Sequence, residues 1–262
     1  MEFNNWPLSN HKITTNLKLF NKVSAKFIKI NFIFFNRHII ILNFTKLLDK
    51  ALLIIMAKWH GFGRCKTRLS KDIGKRNSAK VQSAMTRHTI SVAKFLQENK
   101  LLDISIAITG LGVGNCRKWS RELGIKKFNL QGKGCLGEKM KRQIIIHKKF
   151  CARHKIKNII FIGTDLPDLC HQDLLNTLKE LQHNDLILGP SNDGGYWLIG
   201  LSEKIMLSHT YLPFINIKWG TENVLQNTID NFASKKLKYK FLDKKIDIDT
   251  IIDIEKESNR LV

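Results

Sequence analysis

The chain has little of what builds crosslinked, secreted or membrane-spanning proteins. Its five cysteines, Cys65, Cys116, Cys135, Cys151 and Cys170, are odd in number, widely spaced and contain no C-x-x-C pair. That pattern argues against a disulfide framework and for reduced thiols in a cytoplasmic protein. The stretch 27–44 is rich in Ile and Phe but is interrupted by Lys29, Asn31, Asn36, Arg37 and His38. A membrane span wants about 20 predominantly apolar residues, so none is expected. No small-residue cleavage site follows a compact apolar core, against a secretory signal. Acids are scarce: 22 Asp and Glu face 44 Lys and Arg, a net charge of +22. Such an excess raises anionic partners. Yet there is no basic stripe interleaved with stacking aromatics, and no zinc-finger, homeodomain or RNA-recognition signature, so nucleic acid is not expected as a partner. The abundance of Lys, Ile and Asn is also what an A/T-rich coding sequence yields. Residues 61–67 lack P-loop spacing, and Gly110-Leu111-Gly112-Val113-Gly114-Asn115 lacks the third glycine of a dinucleotide fingerprint. No nucleophile elbow is present.

The chain changes character near residue 50. Residues 1–50 hold no glycine, one proline, and eight Lys and Arg against two acids. They read as a basic extension outside the fold; an organellar transit segment would be similarly acid-poor but richer in serine. From 51 to 262 the chain alternates short apolar runs with helical patterns. Strands are predicted at 51–56, 104–109, 158–163, 185–188, 196–201 and 238–242. Helices are predicted at 78–97, 137–153, 171–182 and 221–232, the last with Thr221 as a cap. In 78–97 the apolar face is read as Val81, Ala84, Met85, His88, Val92 and Phe95. Alternation of this kind implies an α/β fold, a mostly parallel sheet with helices on both faces. The 43% apolar fraction is ample for its core.

Four constellations could carry chemistry. Gly63-Arg64-Cys65-Lys66-Thr67-Arg68-Leu69 follows the first strand closely. If extended, it sends Arg64, Lys66 and Arg68 to one side, and glycines let the backbone approach a ligand. Such a loop suits phosphates; a solvated basic turn fits the same residues. Asp165 follows the strand 158–163, where a carboxylate faces the ligand crevice and where Mg²⁺ is held by one or two carboxylates plus phosphates. A turn residue is the other reading; Asp168 looks like turn or cap chemistry. Asn192-Asp193-Gly194-Gly195-Tyr196-Trp197 is either a tight hairpin or a wall against which a sugar or base lies. Asp247-Ile248-Asp249-Thr250 puts two carboxylates on one side or starts a helix. His147, Cys151 and His154 share a helix face but have no fourth ligand, so a soft-metal site is not expected there.

In order along the chain, these blocks resemble one bacterial family. They are Met56-Ala57-Lys58 with Gly63 to Leu69; Gln131-Gly132 with Leu136-Gly137-Glu138-Lys139-Met140; Ile162-Gly163-Thr164-Asp165-Leu166-Pro167; Leu188 to Leu201; Trp219-Gly220-Thr221-Glu222-Asn223-Val224-Leu225; and Asp247-Ile248-Asp249-Thr250. The family has the glycosyltransferase-A fold, a single Rossmann-like domain. Some members are assigned to arsenosugar biosynthesis, and it is akin to the guanylyltransferases of phospholactate and molybdenum-cofactor synthesis. The resemblance covers 51 to about 255. It implies that Lys58, Gly63, Arg64, Lys66 and Arg68 hold nucleotide phosphates. Asp165, Asp247 and Asp249 would hold Mg²⁺ or Mn²⁺. Gly194 and Gly195 would line the sugar or acceptor pocket, and Asp193 would be catalytic. The chain departs from the family at His60 and Phe62, where prolines are usual, at Cys135, where an acid is usual, and at Ile251, where proline is usual. The expected reaction is sugar transfer from a nucleoside-diphosphate sugar to a small-molecule acceptor. The alternatives are nucleotidyl transfer from a nucleoside triphosphate, releasing pyrophosphate, and a non-enzymatic basic binding protein.

Overall fold

The computed structural model describes residues 48–207, 212–233 and 237–260. Of the expected extension at 1–50, all but 48–50 lies outside the described residues. Seven strands form one sheet: β1 (Ala51–Lys58), β2 (Leu102–Thr109), β3 (Phe128–Leu130), β4 (Asn158–Ile162), β5 (Leu186–Pro190), β6 (Tyr196–Leu201) and β7 (Tyr239–Phe241). Their order across the sheet is β3-β2-β1-β4-β6-β5-β7. All run parallel except β6, which is antiparallel to both β4 and β5. Its reversal follows from the short turn that joins β5 to β6, since a tight hairpin can only connect antiparallel strands. Among the described residues the helices are α1 (Ser70–Glu98), α2 (Val113–Glu122), α3 (Leu136–Arg153), α4 (His171–Glu180), α5 (Glu203–Leu207), α6 (Val224–Ala233) and α7 (Ile251–Arg260).

β1 is apolar on both faces because it is covered on both. Ala51, Leu53, Ile55 and Ala57 point into one core, with Ile90, Val92 and Leu96 of α1, Trp119 of α2 and Leu174 and Leu178 of α4. Leu52 and Ile54 point into the other, with Met140 and Ile144 of α3, Ile205 of α5 and Val224 and Phe232 of α6. The result is the three-layer α/β architecture that the alternation implies.

Several details differ from the sequence expectation. Ala84 is exposed, and the buried side of α1 runs through Val81, Met85, Ile90 and Val92. α1 begins earlier than expected and breaks at Gly74, whose φ of 81° and ψ of 157° are not helical. α6 starts at Val224, and Thr221 does not cap it: its hydroxyl donates to the Lys218 carbonyl at 2.9 Å. β3, α2, α5 and α7 carry patterns too short or too polar to stand out.

Candidate active site

The carboxyl ends of β1, β4 and β5 open onto a cleft of about 590 Å³. It gathers Arg68, Asp165, Asp193, Asp247 and Asp249 with an apolar wall that includes Tyr196 and Trp219. Segments far apart in the sequence meet here because parallel strands deliver their following loops to one edge of the sheet.

The basic loop is not extended. Arg64 N–H donates to Gly61 O at 2.9 Å, Gly63 takes φ 69° and Lys66 takes φ 46°. For a lysine the left-handed conformation costs about 1–2 kcal/mol, and it sends the side chain inward. Arg64, Lys66 and Arg68 therefore do not share one side. Lys66 is buried, whereas Arg64 and Arg68 are exposed. Lys66 Nζ bridges Asp165 Oδ1 at 2.8 Å and Asp249 Oδ1 at 3.0 Å, and Arg68 Nη1 lies 3.9 Å from Asp249 Oδ2. Burial alone would lower the Lys66 ammonium, but Asp165 and Asp249 hold it above its ordinary value. Lys58, the exposed last residue of β1, is close enough to act on the Cys65 thiol but is not part of the cleft wall.

Asp165 is steadied from two sides. Gln82 Nε2 of α1 donates to its Oδ1 at 3.3 Å and to Thr164 Oγ1 at 3.1 Å. The Asp165 carbonyl accepts from Ile248 N–H at 3.0 Å, which ties the β4 loop to the loop carrying Asp247 and Asp249. Both readings of 247–250 are realised. Asp247 and Asp249 line the cleft, while Thr250 and Asp253 close the first turn of α7, with Thr250 N–H donating to Asp253 Oδ2 at 2.7 Å. Asp247 is half-buried, and its carboxyl is pushed up to about 6 by burial first and then by the neighbouring Asp193 carboxylate.

The segment 191–195 is likewise both a hairpin turn and part of the cleft. Ser191 N–H donates to Gly195 O at 3.0 Å. Asp193 Oδ1 accepts from the Ser191 hydroxyl and from Gly195 N–H at 2.9 Å. Asp193 and Gly195 line the cleft. Gly194, expected to line it as well, is turned away: at φ 83° its missing Cβ would sit 2.0 Å from the Glu222 carbonyl oxygen. Its own carbonyl accepts from Leu225 N–H at 2.9 Å, so it docks the start of α6.

Two arrangements outside the cleft lining had no signal in the sequence. Lys245 is 8% exposed, and its Nζ stands 3.1 Å from both Asp168 Oδ2 and Asp173 Oδ2, fastening the loop before Asp247 to the loop after Asp165. Asp168 lies in a turn, as expected, and with Asp173 it also pairs with the buried Lys245. The second, outside the cleft lining, is an aromatic group of Trp59, His60 and Trp119, with Trp59 edge-on to Trp119 at 5.0 Å.

A hard divalent cation fits the donor set in type. Asp165 Oδ1 and Asp249 Oδ1 converge on one point, now held by Lys66 Nζ, and Mg²⁺ typically takes one or two carboxylates with phosphates and water completing its shell. Among the described residues no group of three or more His, Cys, Asp or Glu is arranged to hold a metal by itself. Asp247, expected as a third ligand, lines the same cleft, and its carboxyl feels Asp193 and Asp249 as neighbouring carboxylates. On the helix face of His147, Cys151 and His154, His147 Nε2 pairs with Asn129 Nδ2 at 3.0 Å, and burial pushes the Cys151 thiol up to about 11.

Comparisons with known proteins agree with this architecture. A family profile described as uncharacterized protein conserved in bacteria (DUF2064) matches residues 92–221, leaving the basic loop and Asp247–Asp249 outside the match. Searched against the curated proteins, the chain has no match. Among solved structures, it is similar to a provisionally assigned nucleotide-diphospho-sugar transferase from Desulfovibrio desulfuricans G20, at 24% identity and a TM-score of 0.64, over 80% of this chain and 96% of that one. It is also similar to 4-diphosphocytidyl-2C-methyl-D-erythritol synthase from Anaerococcus prevotii DSM 20548, at 11% identity and a TM-score of 0.50, over 81% and 98%. A CMP:2-keto-3-deoxy-manno-octonic acid synthetase complexed with CTP is similar at the same identity, TM-score and coverage. At these identities the likeness is one of fold: a Rossmann-like α/β domain with a mostly parallel sheet.

Proposed function

We propose that the protein transfers a sugar from a nucleoside-diphosphate sugar to a small-molecule acceptor. The observation that carries this reading is that one cleft combines an acid-and-cation group with an aromatic pair. Asp165, Asp249 and Arg68 form the first, gathered around Lys66, and Tyr196 and Trp219, edge-on at 5.9 Å, form the second. A diphosphate suits the first and a sugar ring the second, since sugars present apolar faces to aromatic rings and hydroxyls to nearby polar groups. The nucleotide-diphospho-sugar transferase assignment of the Desulfovibrio protein supports the same substrate class.

Asp165 and Asp249 would hold Mg²⁺ or Mn²⁺, which would supply Lewis-acid neutralisation of the leaving diphosphate. Arg64 and Arg68, exposed at the loop, would bind phosphate oxygens, with Lys58 and the Gly63 turn behind them. The carboxylates at the turn would handle the acceptor. Asp193, oriented by Ser191 and Gly195, would position its hydroxyl. Asp247, with its carboxyl pushed up to about 6, is poised to take the hydroxyl proton near neutral pH. The sugar carbon then gains the acceptor oxygen as its bond to the diphosphate oxygen breaks.

Nucleotidyl transfer is the second reading. It is favoured by the two cytidylyl-transferring neighbours and by three cations on one loop, which suit a triphosphate. The products separate the two: a nucleoside diphosphate accompanies sugar transfer, pyrophosphate accompanies nucleotidyl transfer. Asp165→Asn should abolish metal-dependent release of either product, and full turnover in that variant would remove Asp165 from the site.

A further inference from the structure

Lys66 and a divalent cation cannot share the same two carboxylates. Lys66 Nζ stands 2.8 Å from Asp165 Oδ1 and 3.0 Å from Asp249 Oδ1, with its side chain 3% exposed. Around Mg²⁺ those oxygens would close to about 2.0–2.1 Å over the same point. An ammonium left there would face the ion with no water between them, and buried like charges repel strongly. Lys66 also sits in a left-handed backbone conformation, φ 46°, between two glycines of positive φ, Gly63 at 69° and Gly74 at 81°. A Cβ at Gly74 would meet nothing within 4 Å, so its backbone angle alone calls for glycine there. The segment 64–73 thus has a permissive joint at each end and a strained lysine between them.

We propose that Lys66 is the resident counter-ion of the Asp165–Asp249 pair and that a divalent metal displaces it, turning its ammonium out to the ligand phosphate. The lysine neutralises the carboxylates while the metal is absent and becomes a phosphate ligand when the metal arrives. Metal and phosphate are therefore coupled through one side chain, and by linkage each tightens the other. The proposal rests on the reading of Asp165 and Asp249 as metal holders, and its test needs neither nucleotide nor turnover.

The metal-stripped full chain is titrated calorimetrically with Mn²⁺ alone. Lys66→Gln, which removes the competing cation and keeps most of the side chain, should bind Mn²⁺ at least about tenfold more tightly than the unmutated protein. That factor corresponds to about 1.4 kcal/mol. Equal or weaker binding by a folded Lys66→Gln variant overturns the proposal, and so does the absence of Mn²⁺ binding by both proteins. A second measurement uses the unmutated chain: acylation of Lys66 by an amine-reactive reagent, quantified at that residue by mass spectrometry. Labelling should rise severalfold at saturating Mn²⁺, and unchanged protection overturns the proposal. Were the transfer reading to fail, with neither nucleoside diphosphate nor pyrophosphate released, both metal measurements would keep their meaning.

Discussion

Asp247 is held where a carboxylate is uncomfortable, half-buried and facing Asp193, and its carboxyl is pushed up to about 6 for that reason. A raised acid in the folded state costs stability when ionised. Below about pH 4 both folded and unfolded chains carry the proton and there is no penalty. As pH rises from about 4 to 6 the unfolded chain ionises first and stability falls; above about 6 the full penalty remains. Asp247→Asn should therefore raise the Tm of the metal-free protein at pH 7–8 and leave it unchanged near pH 4, while activity is lost. An equal shift at both pH values would contradict the origin of the raised carboxyl in desolvation. At this scale the acids were legible, because Asp165, Asp193, Asp247 and Asp249 each follow or precede an apolar strand in a short polar motif. The partnership of Lys66 was not: it spans 183 positions to Asp249, and a left-handed lysine has no local signature. The expected one-sided display of Arg64, Lys66 and Arg68 failed for that reason.

The β5–β6 hairpin and the two loops after β4 and β7 act as units that hold the acids in place. Gly194 docks the hairpin onto the start of α6, and a methyl group there would drive into the Glu222 carbonyl at 2.0 Å with φ 83° already unfavourable for alanine. Gly194→Ala should cost about 1–3 kcal/mol, read as a lower urea midpoint with an unchanged slope. A loss of less than a few tenths would mean that this contact relaxes freely. The Lys245 pair with Asp168 and Asp173 has the larger stake, with side chains 9%, 14% and 13% exposed. Lys245→Met strands two buried carboxylates and should cost about 3–5 kcal/mol; wild-type stability in that variant would show the pair to be well solvated. Long apolar runs made β1, β2 and β4 plain in the sequence. The three residues of β3 and the polar α2 were not, because their membership is set by neighbours, not by their own pattern: Phe128–Leu130 form a strand only by pairing with Ile106–Ile108.

As a whole, the molecule is a three-layer α/β domain with its acids, loop cations and aromatics at one edge of the sheet. The fold was readable from the alternation of strand and helix patterns and the order of the motif blocks; the reaction was not, since the same motif blocks fit either sugar or nucleotidyl transfer. Among the described residues no helix is long and apolar enough to cross a membrane. The net charge of +22 attracts anions in general, so affinity for a nucleotide must be separated from that attraction. The most direct test is a thermal-shift series of nucleoside-diphosphate sugars with Mn²⁺ or Mg²⁺, with the protein and its Asp165→Asn variant side by side. A ligand at a hundred times its Kd stabilises by about 2.7 kcal/mol. At least one nucleoside-diphosphate sugar should raise the Tm of the protein in a metal-dependent way and leave that of Asp165→Asn unmoved. Metal-independent shifts of equal size in both proteins, or none with any nucleotide sugar, would contradict the account.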